Sequence, residues 1–209
     1  DLSRGQQIHE EGESMKILLI ADKEHKALYD FFDRERWEDI DLILSAGDLK
    51  PAYLRFLVTM INKPLFYVRG NHDQNYTKDP PHGCVDIHGK IVEFQGLRIL
   101  GLEGSSWYNG KGVQYTERQM WRKVIKLWPR LKFGNGIDII LTHNPAFGLN
   151  DGKGHAHRGF KSFRYLIDTF SPRYFIHGHQ HLSYAMRNRI IQYKDTQIIN
   201  AYEYYVLEI

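Results

Sequence analysis

Leu65-Phe66-Tyr67-Val68-Arg69-Gly70-Asn71-His72-Asp73 decides the fold: an apolar run stops abruptly at a glycine, an amide, an imidazole and a carboxylate. Four other runs repeat this design. Ile17 to Ala21 delivers Asp22, Ile40 to Ala46 delivers Gly47 and Asp48, and Ile137 to Thr142 delivers His143. Tyr174 to Ile176 delivers His177, Gly178, His179, Gln180 and His181. Runs this short, and mostly unbroken by polar residues, predict strands covered on both faces. Parallel strands in an α/β sheet end along one edge, and ligands bind in the crevice outside those carboxyl ends. The five polar groups are therefore expected to converge.

Helical patterns lie between most of the runs. Lys26 to Trp37 places Leu28, Phe31, Phe32 and Trp37 near one side, which predicts a helix. Pro51 can open a second helix at its first turn, followed by Leu54, Leu57, Val58 and Ile61. Thr116 with Gln119 fits a capping box ahead of Met120, Val124, Leu127, Trp128 and Leu131. Phe160, Phe163, Leu166, Ile167 and Phe170 mark another helix, stopped by Ser171 and Pro172. Val85 to Leu102 reads as strands with turns at Gly89 and Gly96, and Leu182 to Leu207 as a terminal meander. The prediction is an α/β fold with added antiparallel strands: two sheets face to face between helical layers.

The 209 residues suffice for one domain with a sizeable core, and residues 15–209 are read as that domain. Residues 1–14 are polar and without periodicity, so Met15 is read as the native start and the stretch before it as an appended tail. No apolar run approaches the roughly 20 residues that span a bilayer, so a soluble, cytoplasmic protein without a membrane partner is expected. Cys84 is the only cysteine, which rules out an internal disulfide and a thiolate metal cluster. Any metal must be held by oxygen and nitrogen. The net charge of +3 rises once the acidic tail is set aside, which suits an anionic substrate and equally suits ordinary surface solubility. The charges form no Lys/Arg tract that would mark a nucleic-acid groove, although nucleic acid stays open as a partner.

Taken alone, Asp22 or Asp48 reads as a turn or helix cap. Two histidines at i and i+2 on extended backbone face the same side, so His179 and His181 are harder to read as incidental. Asp, Asn and His without Cys suit Mn²⁺, Fe or Zn²⁺ better than an all-oxygen Ca²⁺ site.

In this order, Asp22, Gly47-Asp48, Gly70-Asn71-His72-Asp73, His143 and Gly178-His179-Gln180-His181 resemble the motif series of the calcineurin-like metallophosphoesterases. The segment Thr142-His143-Asn144-Pro145-Ala146, continuing through Gly148 and Asp151, is similar to the small single-domain phosphodiesterase branch of that family. The resemblance implies a four-layer sandwich of two mixed β-sheets flanked by helices. It also implies two divalent metal ions, Mn²⁺ favoured over Fe or Zn²⁺. Asp48 would bridge them, Asn71, His143 and His179 would complete one shell, and Asp22 and His181 would serve the other. The family's Asp-x-His is here Asp22-Lys23-Glu24, so Glu24 is expected to replace the histidine as a ligand, with a solvent-facing Glu24 as the alternative.

The expected reaction is hydrolysis of a phosphodiester by attack of a hydroxide bridging the two ions. His72 would face the substrate and protonate the leaving oxygen. Asp73 would either orient His72 through its second ring nitrogen or serve as a structural residue of the turn. The expected substrate is a small, nucleotide-like phosphate ester, and the oligomeric state is left open. A phosphomonoesterase, including a protein phosphatase, is the alternative enzyme, and an inactive binding scaffold the alternative outside catalysis.

The other polar residues have plainer readings. His177 is read as packed in its strand, and His82 and His88 as solvated near turns. Arg69 either meets a phosphate or points outward. His155 and His157, with Lys153 and Arg158, either line a phosphate mouth or form a surface loop. Ser105 to Gly110, with Trp107 and Tyr108, suits stacking on a base, covering a cleft or simple packing.

Overall fold

The computed structural model describes residues 14–152, 154–182 and 188–209, and the backbone alone of His155. The expected tail (Ser14 apart), Lys153, the His155 side chain and 183–187 of the expected meander lie outside the described residues. In chain order the strands are β1 (Lys16–Ala21), β2 (Leu42–Ser45), β3 (Leu65–Tyr67), β4 (Val85–Asp86), β5 (Ile91–Phe94), β6 (Leu97–Leu102) and β7 (Ser105–Ser106). They continue as β8 (Gln114–Tyr115), β9 (Ile139–Thr142), β10 (Tyr174–His177), β11 (Ile190–Tyr193), β12 (Thr196–Asn200) and β13 (Glu203–Glu208). The α-helices are α1 (Pro51–Ile61), α2 (Glu117–Lys132) and α3 (Lys161–Phe170).

Two mixed sheets form the centre. One runs β13-β1-β2-β3-β4, the other β11-β12-β10-β9-β6-β5, and β7 pairs with β8 apart from both. β1, β2 and β3 are parallel, as are β6, β9, β10 and β12, so each sheet gathers several carboxyl ends on one edge.

The side-chain period of two sorts the strands into layers. Ile17, Leu19, Leu42 and Leu44 face Ile99, Ile139, Leu141, Ile176 and Ile199 between the sheets. Leu18, Ile20 and Ile43 face the other way, onto Leu54 and Leu57 of α1. Ile140, Phe175 and Ile198 pack on Met120 and Val124 of α2 and Phe163 and Leu166 of α3. Three apolar cores separating four layers give the expected sandwich. Each such side chain contributes roughly 1.5–3 kcal/mol relative to exposure.

α1 carries Pro51 at its first turn and ends on Asn62 in the left-handed region. α2 has the capping box, with Thr116 accepting from Gln119 N. Two expectations are corrected. Lys26 to Trp37 is two 3₁₀ turns, Lys26–Leu28 and Glu35–Trp37, rather than a helix. His25 Nδ1 takes the Ala27 amide and Asp33 the Glu35 amide, and Phe31 is 73% exposed, so no continuous apolar face exists to hold a helix there. The terminal segment is not a simple meander. β11 and β12 form a hairpin in one sheet, and β13 crosses to the other, where it runs antiparallel to β1 with Leu19 opposite Tyr205.

Candidate metal centre

The carboxyl ends of β1, β2 and β3 present Asp22, Asp48 and Asn71, and those of β9 and β10 present His143 and His179. The two edges are laced together. Asp22 N donates to Gly47 O (3.0 Å) and Gly178 N to His143 O (3.0 Å), while both Asp22 carboxylate oxygens accept from His179 N at 3.0 Å. Asp22, Asp48 and His179 all have positive φ, at 65°, 58° and 64°. Left-handed backbone at non-glycine residues is strained and concentrates where a site over-determines it. Gly47 and Gly70 account for the glycines of both turns. A Cβ on Gly47 would collide with the Gly70 backbone, and one on Gly70 with the Asp48 carboxylate.

Ring orientation follows from two backbone carbonyls. His143 Nδ1 lies 2.8 Å from Ala46 O and His179 Nε2 lies 2.6 Å from Ala156 O, so each of these nitrogens carries the proton and donates. The opposite nitrogens, His143 Nε2 and His179 Nδ1, then face each other at 3.1 Å. Asn71 Oδ1 is 2.9 Å from His143 Nε2, and Asp48 Oδ2 is 3.4 Å from it. Asn71 Nδ2 donates to Tyr108 OH at 3.3 Å, which points the amide oxygen inward. With both rings neutral, four lone-pair atoms meet without a donor between them, in a buried place where unsatisfied acceptors are costly. Such a donor set fits a divalent cation, and Asp48, His143 and His179 form a possible ligand cluster.

The electrostatics agree. Burial lifts Asp22 to about 7, with neighbouring Asp48 adding to the shift and His143 opposing it. Burial and then Asp48 lift Asp73 to about 7. Burial and then His143 push His179 down to about 3. Burial opposes charge on His143, but Asp48 and Asp22 outweigh it and raise its pKa. Burial is the first cause named for each group, and the Asp48 charge raises Asp22, Asp73 and His143 alike.

Not every expected residue joins this group. Glu24 pairs with Lys50 at 3.4 Å, and the His181 ring packs against Tyr202 at 4.9 Å. The exposed His72 ring has Nε2 3.9 Å from Asp48 Oδ2. Asp73 does not reach His72 through a hydrogen bond among the described residues. Its Oδ2 accepts from Asp48 N and Gly70 N, both at 2.7 Å, which ties the β2 turn to the β3 turn. That is the structural alternative foreseen for it. Arg69 meets Glu103 at 2.7 and 3.0 Å. His88 is half-buried rather than solvated, with Nδ1 accepting from Glu103 N at 3.1 Å. His177 is fully buried.

Tyr108 and the carbonyls of Ala46 and Ala156 escape sequence reasoning. The first lies in a segment recognised only as aromatic and glycine-punctuated, and backbone acceptors leave no trace in residue type.

A four-layer sandwich with Asp, Asn and His at the edges of two mixed sheets is an architecture suited to holding a metal ion. The family model for calcineurin-like phosphoesterases matches residues 8–183, and the chain belongs to that family. One crystal structure matches with a TM-score of 0.67 at 14% identity, over 93% of this chain and 95% of its own. The protein TT1561 of Thermus thermophilus matches with a TM-score of 0.63 at 17% identity, over 91% of this chain and 90% of that one. The calcineurin-like phosphoesterase YfkN from Bacillus subtilis matches with a TM-score of 0.49 at 14% identity, over 83% of this chain and 74% of that one. Among curated proteins none matches at a significant level. Among the described residues no helix is long and apolar enough to cross a membrane.

Proposed function

We propose that this chain is a dinuclear phosphodiesterase acting on a small, nucleotide-like diester. The observation that carries the reading is the convergence of Asn71 Oδ1, His179 Nδ1 and Asp48 Oδ2 on His143 Nε2, at 2.9, 3.1 and 3.4 Å. These four would hold one cation. Asp22, with Asp48 shared, would hold the second, joined by His181 and Glu24 once Glu24 leaves Lys50 and His181 turns from Tyr202. Mn²⁺ suits this oxygen and nitrogen set, with Fe or Zn²⁺ as alternatives. When bound, such a pair supplies Lewis acidity toward phosphoryl oxygens and a water acidic enough to attack near neutral pH.

The chain's own residues orient and exchange protons. Tyr108 keeps the Asn71 amide oxygen inward, and Asp73 holds the Asp48 and Gly70 amides in register. His72, exposed with Nε2 3.9 Å from Asp48 Oδ2, would protonate the leaving oxygen or donate a hydrogen bond to the phosphoryl group. Arg69, the arginine of the β3 turn, is paired with Glu103 rather than free to meet the second charge of a monoester dianion, which supports the diester.

Metal content and turnover on bis(p-nitrophenyl) phosphate and p-nitrophenyl phosphate, measured on the same Mn²⁺-dialysed samples, test this. Two ions per chain and faster diester cleavage are expected. Asp48→Asn and His179→Ala should abolish turnover, and His72→Ala should keep its metal and turn over slowly. Tightly bound metal without diester cleavage would overturn the reading.

A further inference from the structure

A groove of about 350 Å³ is walled by Trp107, Tyr115, Phe147, Arg158, Lys161 and Glu117 among others. Its walls grow from the elements that hold the ligands. Asn144, next to His143, donates to Ser106 Oγ at 3.2 Å and Arg158 O at 3.0 Å. Ala156, two residues before Arg158, orients His179, and Tyr108, next to Trp107, orients Asn71.

The lining is selective in two ways. Trp107 is 58% exposed, which leaves its ring free to stack on a flat group. Arg158 Cζ and Lys161 Nζ each lie 5.5 Å from the centre of the Phe147 ring. Among the described residues neither cation has a carboxylate within ion-pair distance. Glu117, the acid in the groove, is already committed: its two oxygens accept from Lys161 N (3.0 Å) and Ser162 N (2.8 Å) at the start of α3. Arg158 and Lys161 are exposed cations beside an aromatic ring, chemistry that suits an anion attached to a flat group.

We propose that this groove is a specificity subsite for a planar heteroaromatic ring bearing an anionic group in addition to the scissile phosphate, as in a phosphorylated nucleoside. Trp107 stacks on the ring, and Arg158 and Lys161 take the anion. The assignment rests on the phosphodiesterase reading, because it makes the occupant part of the substrate.

Binding without metal separates the two. The full chain, stripped of metal with EDTA, is titrated with adenosine 5′-monophosphate, ribose 5-phosphate and adenosine while tryptophan emission is followed, with Trp107→Phe assigning the signal. The nucleotide should quench emission and bind at least about tenfold more tightly than either fragment, as expected when base stacking and an anion contact act together. Trp107→Ala and the double variant R158A/K161A should each weaken it about tenfold or more, with Mn²⁺ content on reloading unchanged. Equal affinity for the nucleotide and ribose 5-phosphate, or no effect of Trp107→Ala, would overturn the subsite. Diester turnover without nucleotide preference would sink this inference alone, and nucleotide preference without any turnover would sink the hydrolase reading alone.

Discussion

Replacing Asp73 distinguishes a strut from a catalytic orienter. One carboxylate oxygen, on a residue only 5% exposed, accepts the amides of Asp48 and Gly70 at 2.7 Å each. Asp73→Ala leaves both donors without a partner. At about 1–3 kcal/mol per buried unsatisfied group, the loss is about 2–6 kcal/mol. That is a large part of the roughly 5–15 kcal/mol by which a domain is stable. Asp73→Asn keeps a carbonyl oxygen in the same place and should cost no more than about 1 kcal/mol.

Urea denaturation of the metal-free protein at pH 7 measures both variants, with turnover followed in parallel. An orienter of His72 would instead lower the rate in both variants and leave stability untouched. An alanine variant as stable as the parent, or an asparagine variant as damaged as the alanine one, refutes the strut. The pH dependence adds a second check. Burial and Asp48 raise the folded pKa of Asp73 to about 7 from an ordinary 3.8. The folded state then binds the proton more tightly, so the contribution is complete below the ordinary value and is lost as pH rises to about 7. Asp22 shifts the same way. Relative to Asp73→Asn, the metal-free parent should therefore lose stability between about pH 4 and 7.

Three further outcomes follow from the same contacts. Tyr108→Phe removes the acceptor that fixes the Asn71 amide and should weaken Mn²⁺ binding about 10-fold in a metal-buffered titration, with melting temperature little changed. Gly70→Ala drives a methyl group into the Asp48 carboxylate, so the purified protein should carry little metal by elemental analysis. Burial lowers the pKa of His88, with Glu103 opposing. The unfolded chain then takes the proton first, so the His88 contribution to stability is complete above pH 6.5 and declines as pH falls toward the folded value. His88→Gln should flatten that decline in urea titrations across this range.

The sequence by itself determined the strands and where their chemistry lies. Unbroken apolar runs ending at Asp22, Asp48, Asn71, His143 and His179 can be read because a strand covered on both faces needs apolar side chains throughout, and polarity begins only where cover ends. Pro51, Thr116 and Ser171 marked helix ends for equally local reasons. Tertiary structure alone decided what each polar atom meets. Glu24 pairs with Lys50, His88 lies against Glu103, and Asp73 binds two amides because of backbone brought in from elsewhere in the chain. Lys26 to Trp37 has the side-chain spacing of a helix but lacks a surface to bury all of it. The proton positions on His143 and His179 depend on the carbonyls of Ala46 and Ala156, and a carbonyl is common to every residue type.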